Sequence, residues 1–179
     1  APQPEGYNGP RNIYDYLKTL KKQGAHGAGF KYQSVHPEVT GWVIQRITGQ
    51  KINDYLSERI WQPMGAAHDA YFVADSNGMG MSGGAMNATL SDMARFGEMV
   101  RNRGYFNGRQ ILDPKTFDLL FVKDYPVKTT EDLYGLSRPG YSYHNYWWIP
   151  NNADNVIEAW GINGQMVHIN PTTETVIVK

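Results

Sequence analysis

The hydrophobic pattern of this chain changes its period after about two thirds of its length. Up to residue 122, apolar residues recur at the three- and four-residue spacing of amphipathic helices, interrupted by Gly and Pro. After residue 141 the pattern is typical of short strands, and Pro171 to Glu174 predicts a hairpin turn between the last two. Helices followed by antiparallel strands predict an α+β fold, with a mostly helical part in residues 1–140 and the strands in residues 141–179.

The same pattern predicts where the elements lie. Ser34 is a candidate cap of the second helix, and Thr89 with Asp92 has capping-box spacing at the start of the fourth. The final strand ends at Lys179 with no covering element, so the sheet would have an open edge. We therefore expect a fold that is incomplete at both ends. Helices are predicted near 12–23, 37–48, 52–62, 90–103 and 114–122, and strands at 141–149, 156–162, 166–170 and 175–179.

Composition argues against several classes of partner. The chain has 17 Lys and Arg against 17 Asp and Glu, so it lacks the excess of positive charge that nucleic-acid binding requires. No apolar run approaches the roughly 18 residues of a membrane span. Cysteine is absent, and the five histidines show no metal-ligand spacing. We therefore expect no metal and no cofactor, no nucleic-acid partner and no membrane span.

One serine lies in a motif that resembles a nucleophile elbow. Ser82 occupies the centre of the Gly-x-Ser-x-Gly segment from Gly80 to Gly84. An elbow requires a strand directly before the serine and a helix directly after it, but the next predicted helix begins only near Thr89. The pattern favours a glycine-rich loop that lets two backbone segments approach closely, with an α/β-hydrolase using Ser82 as the alternative.

Two further segments are candidates for chemistry. Tyr32 and Ser34 lie between a glycine-rich loop and a helix start, where a tyrosine hydroxyl can face a ligand, although packing is the commoner role. Gly161 and Gly164 lie three residues apart at the end of the strand predicted at 156–162, which is typical of close approach by a ligand, or of a β-bulge. Trp147 and its neighbours fit either a core or the wall of a site.

Six segments are informative when they are taken together: Phe30 to Gly49, Arg59 to Gly65, Gly83 and Gly84, Asp92 to Gly97, Gly161 to Gln165, and Asn170 to Lys179. They resemble the serine hydrolases of the β-lactamase and penicillin-binding superfamily, in the branch near class C. Their order and spacing follow that family's order. The tryptophans at 147 and 148 and the closing segment are most similar to the 6-aminohexanoate-dimer hydrolases, which are amidases with carboxylesterase-like relatives.

The resemblance implies acyl transfer through a serine ester. It implies that Tyr32 shares the serine proton with a lysine, and that the backbone N–H of Ile162 is an oxyanion donor with Gly161 permitting close approach. Ser34, Trp147 and Asn163 would contact the substrate, a small amide or ester. This sequence departs from the family by having Ser34 where Asn is usual and Asn163 where His is found in the nylon-oligomer enzymes.

None of the serines is followed by the Ser-x-x-Lys pattern that the family uses for its nucleophile. The resemblance implies that this segment, together with further strands and a helix, belongs to missing N-terminal and C-terminal parts of the same protein. The 179 residues alone are then expected to be inactive. A non-catalytic, penicillin-binding-like protein is the alternative. A homodimer and either a periplasmic or a cytoplasmic location in a bacterium are left open.

Overall fold

A computed structural model describes residues 4–26, 30–121 and 140–179. The helices are α1 (Ile13–Thr19), α2 (Val35–Thr48), α3 (Ile52–Leu56), α4 (Leu90–Arg101) and α5 (Lys115–Asp118). The chain continues from α3 into a π-helical turn at Ser57–Trp61. In the described part of the chain, no helix is long and apolar enough to cross a membrane.

Local hydrogen bonds explain where these helices begin and end. The Asn12 side chain accepts a hydrogen bond from the Asp15 N–H at the start of α1, and the Thr89 side chain accepts one from the Asp92 N–H at the start of α4. Gly49 ends α2 in the left-handed region, with φ of 72°, which glycine adopts at little cost. The cap predicted at Thr89 is therefore confirmed. Ser34 occupies the predicted cap position directly before α2, but its side chain makes no capping hydrogen bond.

Within the described ranges, the main sheet consists of five antiparallel strands, each hydrogen-bonded to the next one along the chain. They are β5 (Ser142–His144), β6 (Trp147–Ile149), β7 (Ile157–Trp160), β8 (Met166–Asn170) and β9 (Thr175–Val178). The remaining strands form two small hairpins, β1 (Tyr71–Phe72) with β2 (Met86–Asn87), and β3 (Tyr105–Phe106) with β4 (Arg109–Gln110). Helices with antiparallel sheets confirm the predicted α+β class.

The main core lies between α4 and one face of the large sheet. Gly97 of α4 contacts β8 and β9 so closely that a Cβ atom there would lie 2.6 Å from Cγ1 of Val176. Around this contact the apolar side chains of both layers are almost fully removed from water, which is the main source of stability for such a packing. The buried members are Met99, Val100, Phe117, Ile149, Ile157, Val167 and Ile169.

Several predicted element bounds are corrected by the structure. The first predicted strand, residues 141–149, is a hairpin that turns at Asn145 and Tyr146. Residue 162 belongs to a short 3₁₀ turn, Ile162–Gly164, and not to a strand. The first helix ends at Thr19, before its predicted end at residue 23. The third helix, predicted to residue 62, is a regular α-helix only to Leu56 and continues as the π-helical turn. The fifth helix ends at Asp118, before its predicted end at residue 122, which itself lies outside the described residues.

Candidate functional site

Tyr32 lies against aromatic side chains of the large sheet. Its ring is stacked on Trp148 of β6, with centroids 6.2 Å apart, and meets the edge of Tyr143 of β5 at 5.8 Å. Phe30 contacts the same two sheet residues, and Tyr143 and Trp148 contact each other at 4.7 Å. Tyr32 is nevertheless 38% exposed. We call Phe30, Tyr32, Tyr143 and Trp148 the aromatic wall.

The register of the sheet explains how the aromatic wall is assembled. Residues directly opposite each other in antiparallel strands point to the same face. One such row crosses all five strands in the order Tyr143, Trp148, Glu158, His168 and Ile177. The neighbouring positions of the same strands face α4 and the core. Tyr32 therefore packs on the sheet face that is turned away from α4.

The aromatic wall holds one phenol in its neutral form. Burial raises the pKa of Tyr143 well above its ordinary value, and the neighbouring phenols of Tyr32 and Tyr146 raise it further. Tyr143 is therefore harder to deprotonate than an exposed tyrosine.

A buried carboxylate lies next to the aromatic wall in the same row. Glu158 is 5% exposed, and its two oxygens bind different partners. One lies 2.7 Å from Nδ1 of His168, and the other accepts a hydrogen bond of 2.9 Å from the indole N–H of Trp160. A buried carboxylate is costly unless it is hydrogen-bonded, so these contacts keep Glu158 in place. They also fix the end of β7, which leads directly to Gly161.

The segment after β7 forms a tight turn. The Gly161 N–H donates to the carbonyl of Gln165 at 2.9 Å, and Asn163 has a positive φ of 59°. A Cβ atom on Gly161 would lie 2.5 Å from Oε1 of Gln165, so the glycine makes room for that side chain. Ile162 is 79% exposed. Within the described ranges, no hydrogen bond or ring contact joins Tyr32 to this turn. The role of the Ile162 N–H as an oxyanion donor stays a prediction.

The structure separates Trp147 from the other candidate residues. Trp147 lies on the α4 face of the sheet, where its ring is stacked on Phe96 with centroids 6.5 Å apart. Trp148, on the opposite face, is the tryptophan that contacts Tyr32. Ser34 is exposed directly before α2, two residues after Tyr32. The sequence analysis predicted Trp147, and not Trp148, as a residue of the site.

Ser82 lies in a turn that has no elbow geometry. Gly80 before it makes only an isolated bridge to Ala74, and the next helix, α4, begins at Leu90. Buried Glu38 of α2 accepts hydrogen bonds from the N–H groups of Ser82 and Gly83, at 3.0 and 2.8 Å. The Ser82 hydroxyl is buried against Gly41 without a hydrogen-bond partner in the described part of the chain. This is the close approach of two segments that the glycine-rich pattern predicted.

Sequence reasoning missed Tyr143 and Trp148 as neighbours of Tyr32. The signal was present in the alternation of strand residues, since Trp147 and Trp148 must face opposite sides of a sheet. It could not be used without the position of the hairpin turn, because the turn decides which residues pair. Asn145 was the local indication of that turn, since asparagine tolerates a positive φ better than most residues.

Comparison with known proteins gives a consistent result. The family model described as Beta-lactamase matches residues 2–179. A 6-aminohexanoate-dimer hydrolase from Paenarthrobacter ureafaciens is 29% identical over 170 residues, which are 95% of this chain and 43% of that protein. A solved structure from Bacillus anthracis, assigned as a 6-aminohexanoate-dimer hydrolase, is 36% identical with a TM-score of 0.86, and the match covers 99% of this chain and 44% of that one.

More distant structures share the fold. The hydrolase EstCE1, which has promiscuous acyltransferase activity, is 15% identical with a TM-score of 0.68, over 93% of this chain and 55% of its own. A protein from Bacteroides dorei assigned as a beta-lactamase is 19% identical with a TM-score of 0.71, over 99% of this chain and 60% of its own. The chain thus spans less than half the length of the two 6-aminohexanoate-dimer hydrolases.

Proposed function

The chain belongs to the beta-lactamase family, and on that premise we propose that the whole protein is a serine hydrolase that cleaves amide or ester bonds through an acyl-enzyme. The observation that carries this proposal is the setting of Tyr32. Its ring is fixed by Trp148 and Tyr143, while the residue stays 38% exposed, so its hydroxyl can reach a reacting group. A general acid–base group needs this combination of fixed position and access.

In the proposed reaction, the nucleophilic serine and its lysine come from a Ser-x-x-Lys segment outside these 179 residues. The serine oxygen forms a bond to the substrate carbonyl carbon, and the bond to the amine or alcohol breaks. The serine proton passes through the lysine and Tyr32 to that leaving group. Water then cleaves the serine ester by the reverse proton path. Without the serine, the 179 residues alone should hydrolyse no ester or amide above background.

The turn after β7 supplies the second proposed element. The N–H of Ile162 would stabilise the oxyanion together with the N–H of the serine, and such a donor typically contributes a factor of about 10² to 10³ in rate. Trp148 of the aromatic wall pairs with Glu158 in the neighbouring strand. Three residues of extended strand lead from Glu158 to Gly161, so the turn begins about 10 Å along the strand from the pair that Glu158 forms with Trp148. Asn163 and Ser34 are exposed and are proposed to contact the substrate.

The aromatic wall indicates the substrate class. The half-buried rings of Phe30 and Tyr143 lie beside Tyr32, over the buried ring of Trp148. Such an apolar surface favours an apolar chain over a charged one. We therefore propose substrates whose acyl group is an unbranched aliphatic chain, as in short-chain esters and linear amides of ω-amino acids. Trp148 lies beside Tyr32 and supports its ring, while the substrate contact that the resemblance implies for Trp147 stays a prediction.

The test is to replace Tyr32 by Phe in the whole protein. Phenylalanine preserves the ring packing and removes only the oxygen, so kcat/KM for p-nitrophenyl butyrate and for the linear dimer of 6-aminohexanoate should fall about 10²-fold or more. Tyr71→Phe is the matched control, because Tyr71 is 66% exposed and lies outside the aromatic wall. Circular dichroism would establish that all variants fold alike.

A wild-type rate in Tyr32→Phe would overturn the role of Tyr32. Ser82→Ala should leave the rate unchanged, since the buried Ser82 hydroxyl has no role in this mechanism. Loss of activity in Ser82→Ala would favour the nucleophile-elbow alternative. A wild-type protein that hydrolyses neither substrate would favour the non-catalytic alternative.

A further inference from the structure

The hairpin that carries two rings of the aromatic wall has an unusual turn. Only Asn145 and Tyr146 connect β5 to β6, and both have positive φ values, 49° and 68°. Two-residue hairpin turns of this kind favour Asn followed by Gly, because a Cβ atom is unfavourable at the second position. Tyrosine at residue 146 is therefore a strained choice, and an interaction of its side chain must compensate.

The Tyr146 side chain makes such an interaction with α2. Its hydroxyl lies 2.6 Å from Oγ1 of Thr40, a residue 106 positions earlier in the chain. The Thr40 hydroxyl also donates to the carbonyl of His36 at 3.2 Å. Because the threonine hydroxyl has one proton, Tyr146 is the donor and Thr40 the acceptor. Asn145 adds a second attachment by donating to the carbonyl of Leu119 at 3.2 Å.

The Tyr146–Thr40 hydrogen bond completes a continuous series of contacts that begins and ends at Tyr32. Tyr32 precedes α2, α2 presents Thr40, and Thr40 holds the turn at Tyr146. The two strands that leave this turn carry Tyr143 and Trp148, which contact the Tyr32 ring from the sheet side. The phenol of Tyr146 also contributes to raising the pKa of Tyr143, after burial and Tyr32.

We propose that Tyr146 is a positioning residue for Tyr32. It acts by fixing the hairpin to α2 through Thr40, so that Trp148 and Tyr143 hold the Tyr32 ring in one position. This inference rests on the proposed function of Tyr32 as the proton-transferring group. In this proposal the strained tyrosine is kept at residue 146 because its side chain places a hydroxyl where Thr40 can bind it, beside the site.

The first test compares variants at both ends of the hydrogen bond in the whole protein. Tyr146→Phe and Thr40→Val each remove one hydroxyl with little change of volume, and kcat/KM for p-nitrophenyl butyrate should fall roughly tenfold in each, because small displacements of a catalytic group are costly. The double variant should be no slower than either single variant. Thr40→Ser, which retains the hydroxyl that Thr40→Val removes, should have the same kcat/KM as the wild type.

A second variant separates positioning from stability. Tyr146→Gly relieves the turn, so its Tm should be equal to or higher than that of the wild type, while kcat/KM should still fall roughly tenfold. A purely structural Tyr146 predicts full activity in this more stable variant. Wild-type kcat/KM in Tyr146→Phe or in Tyr146→Gly would overturn the proposal.

Failure of the proposed function is distinguishable from failure of this inference. If the wild-type protein hydrolyses no substrate, the proposed function fails, and the role of Tyr146 in the reaction fails with it. The hydrogen bond itself is then tested by the Tm values of the four proteins in the Tyr146→Phe and Thr40→Val cycle. Additive shifts in Tm would show that the two side chains do not interact, and would overturn the structural step on which the inference depends.

Discussion

Replacing Asp92 by Asn should destabilise the protein and remove part of its pH dependence. Asp92 of α4 is completely buried, and its carboxylate accepts hydrogen bonds from the N–H groups of Ala67 and His68, at 2.8 and 3.1 Å. It also accepts one of 2.7 Å from the Thr89 hydroxyl and one of 2.8 Å from the Arg95 guanidinium. The residue thus attaches the segment at 67–68 to the start of α4.

The structure gives the size of the expected effect. Burial alone would raise the pKa of Asp92, but the hydrogen bonds from the Ala67 N–H and the Thr89 hydroxyl, the His68 imidazole 3.1 Å away and the charge of Arg95 lower it from 3.8 to about 2. A carboxyl group whose pKa is lower in the folded state contributes stability above its unfolded pKa and loses it as the pH falls towards the folded value. The contribution is about 2 kcal/mol at pH 6 and about 1 kcal/mol at pH 3.

Urea unfolding at pH 6 and at pH 3 measures both effects. Asp92→Asn should cost about 3 kcal/mol at pH 6, because an amide nitrogen would replace an oxygen that receives hydrogen bonds in a buried site. Between pH 6 and pH 3 the wild type should lose about 1 kcal/mol more than the variant. Asp69→Asn, at an exposed aspartate, is the control. Equal pH dependence in the wild type and Asp92→Asn would refute the reasoning.

Two further predictions concern glycines at close contacts. Gly41→Ala should destabilise the protein by about 1–3 kcal/mol, because the new methyl group would overlap the buried Ser82 side chain, and Ser82→Gly should restore stability. Gly97→Ala should cost about 1–2 kcal/mol despite the better helix propensity of alanine, because its methyl group would lie 2.6 Å from Cγ1 of Val176, and adding Val176→Ala should recover part of the loss. Thermal and urea unfolding would check both, and an unchanged Tm in either single variant would contradict the corresponding contact.

Much of the fold could be predicted because it depends on short-range signals. The cap at Thr89 and the glycine that ends α2 act within one helical turn, so four or five residues suffice to recognise them. The last two strands and their turn were predicted within a residue of their bounds, since their pattern is also local. The hairpin at Asn145 and Tyr146 was missed because tyrosine is an atypical turn residue, and a tertiary hydrogen bond stabilises it.

The candidate site was predicted only at its most characteristic residue. Tyr32 was singled out from its place before α2 and from the family resemblance, and its catalytic role stays a prediction. Trp148 and Tyr143 were not assigned to it, because they reach Tyr32 through the register of strands more than 100 residues away. Glu158 was not considered, since nothing next to it in sequence indicates that it is buried with His168 and Trp160.

The sequence by itself determined the order of helices and strands, the α+β class and the family, because hydrophobic period, caps and motif spacing are properties of neighbouring residues. Only the tertiary structure decided which face each strand residue occupies, and therefore that Trp148 and not Trp147 lies beside Tyr32. It also decided that Glu38 binds the Ser82 turn and that Tyr146 binds Thr40. Such pairs join residues 44 and 106 positions apart, and their partners are fixed by how the layers pack, which no local pattern encodes.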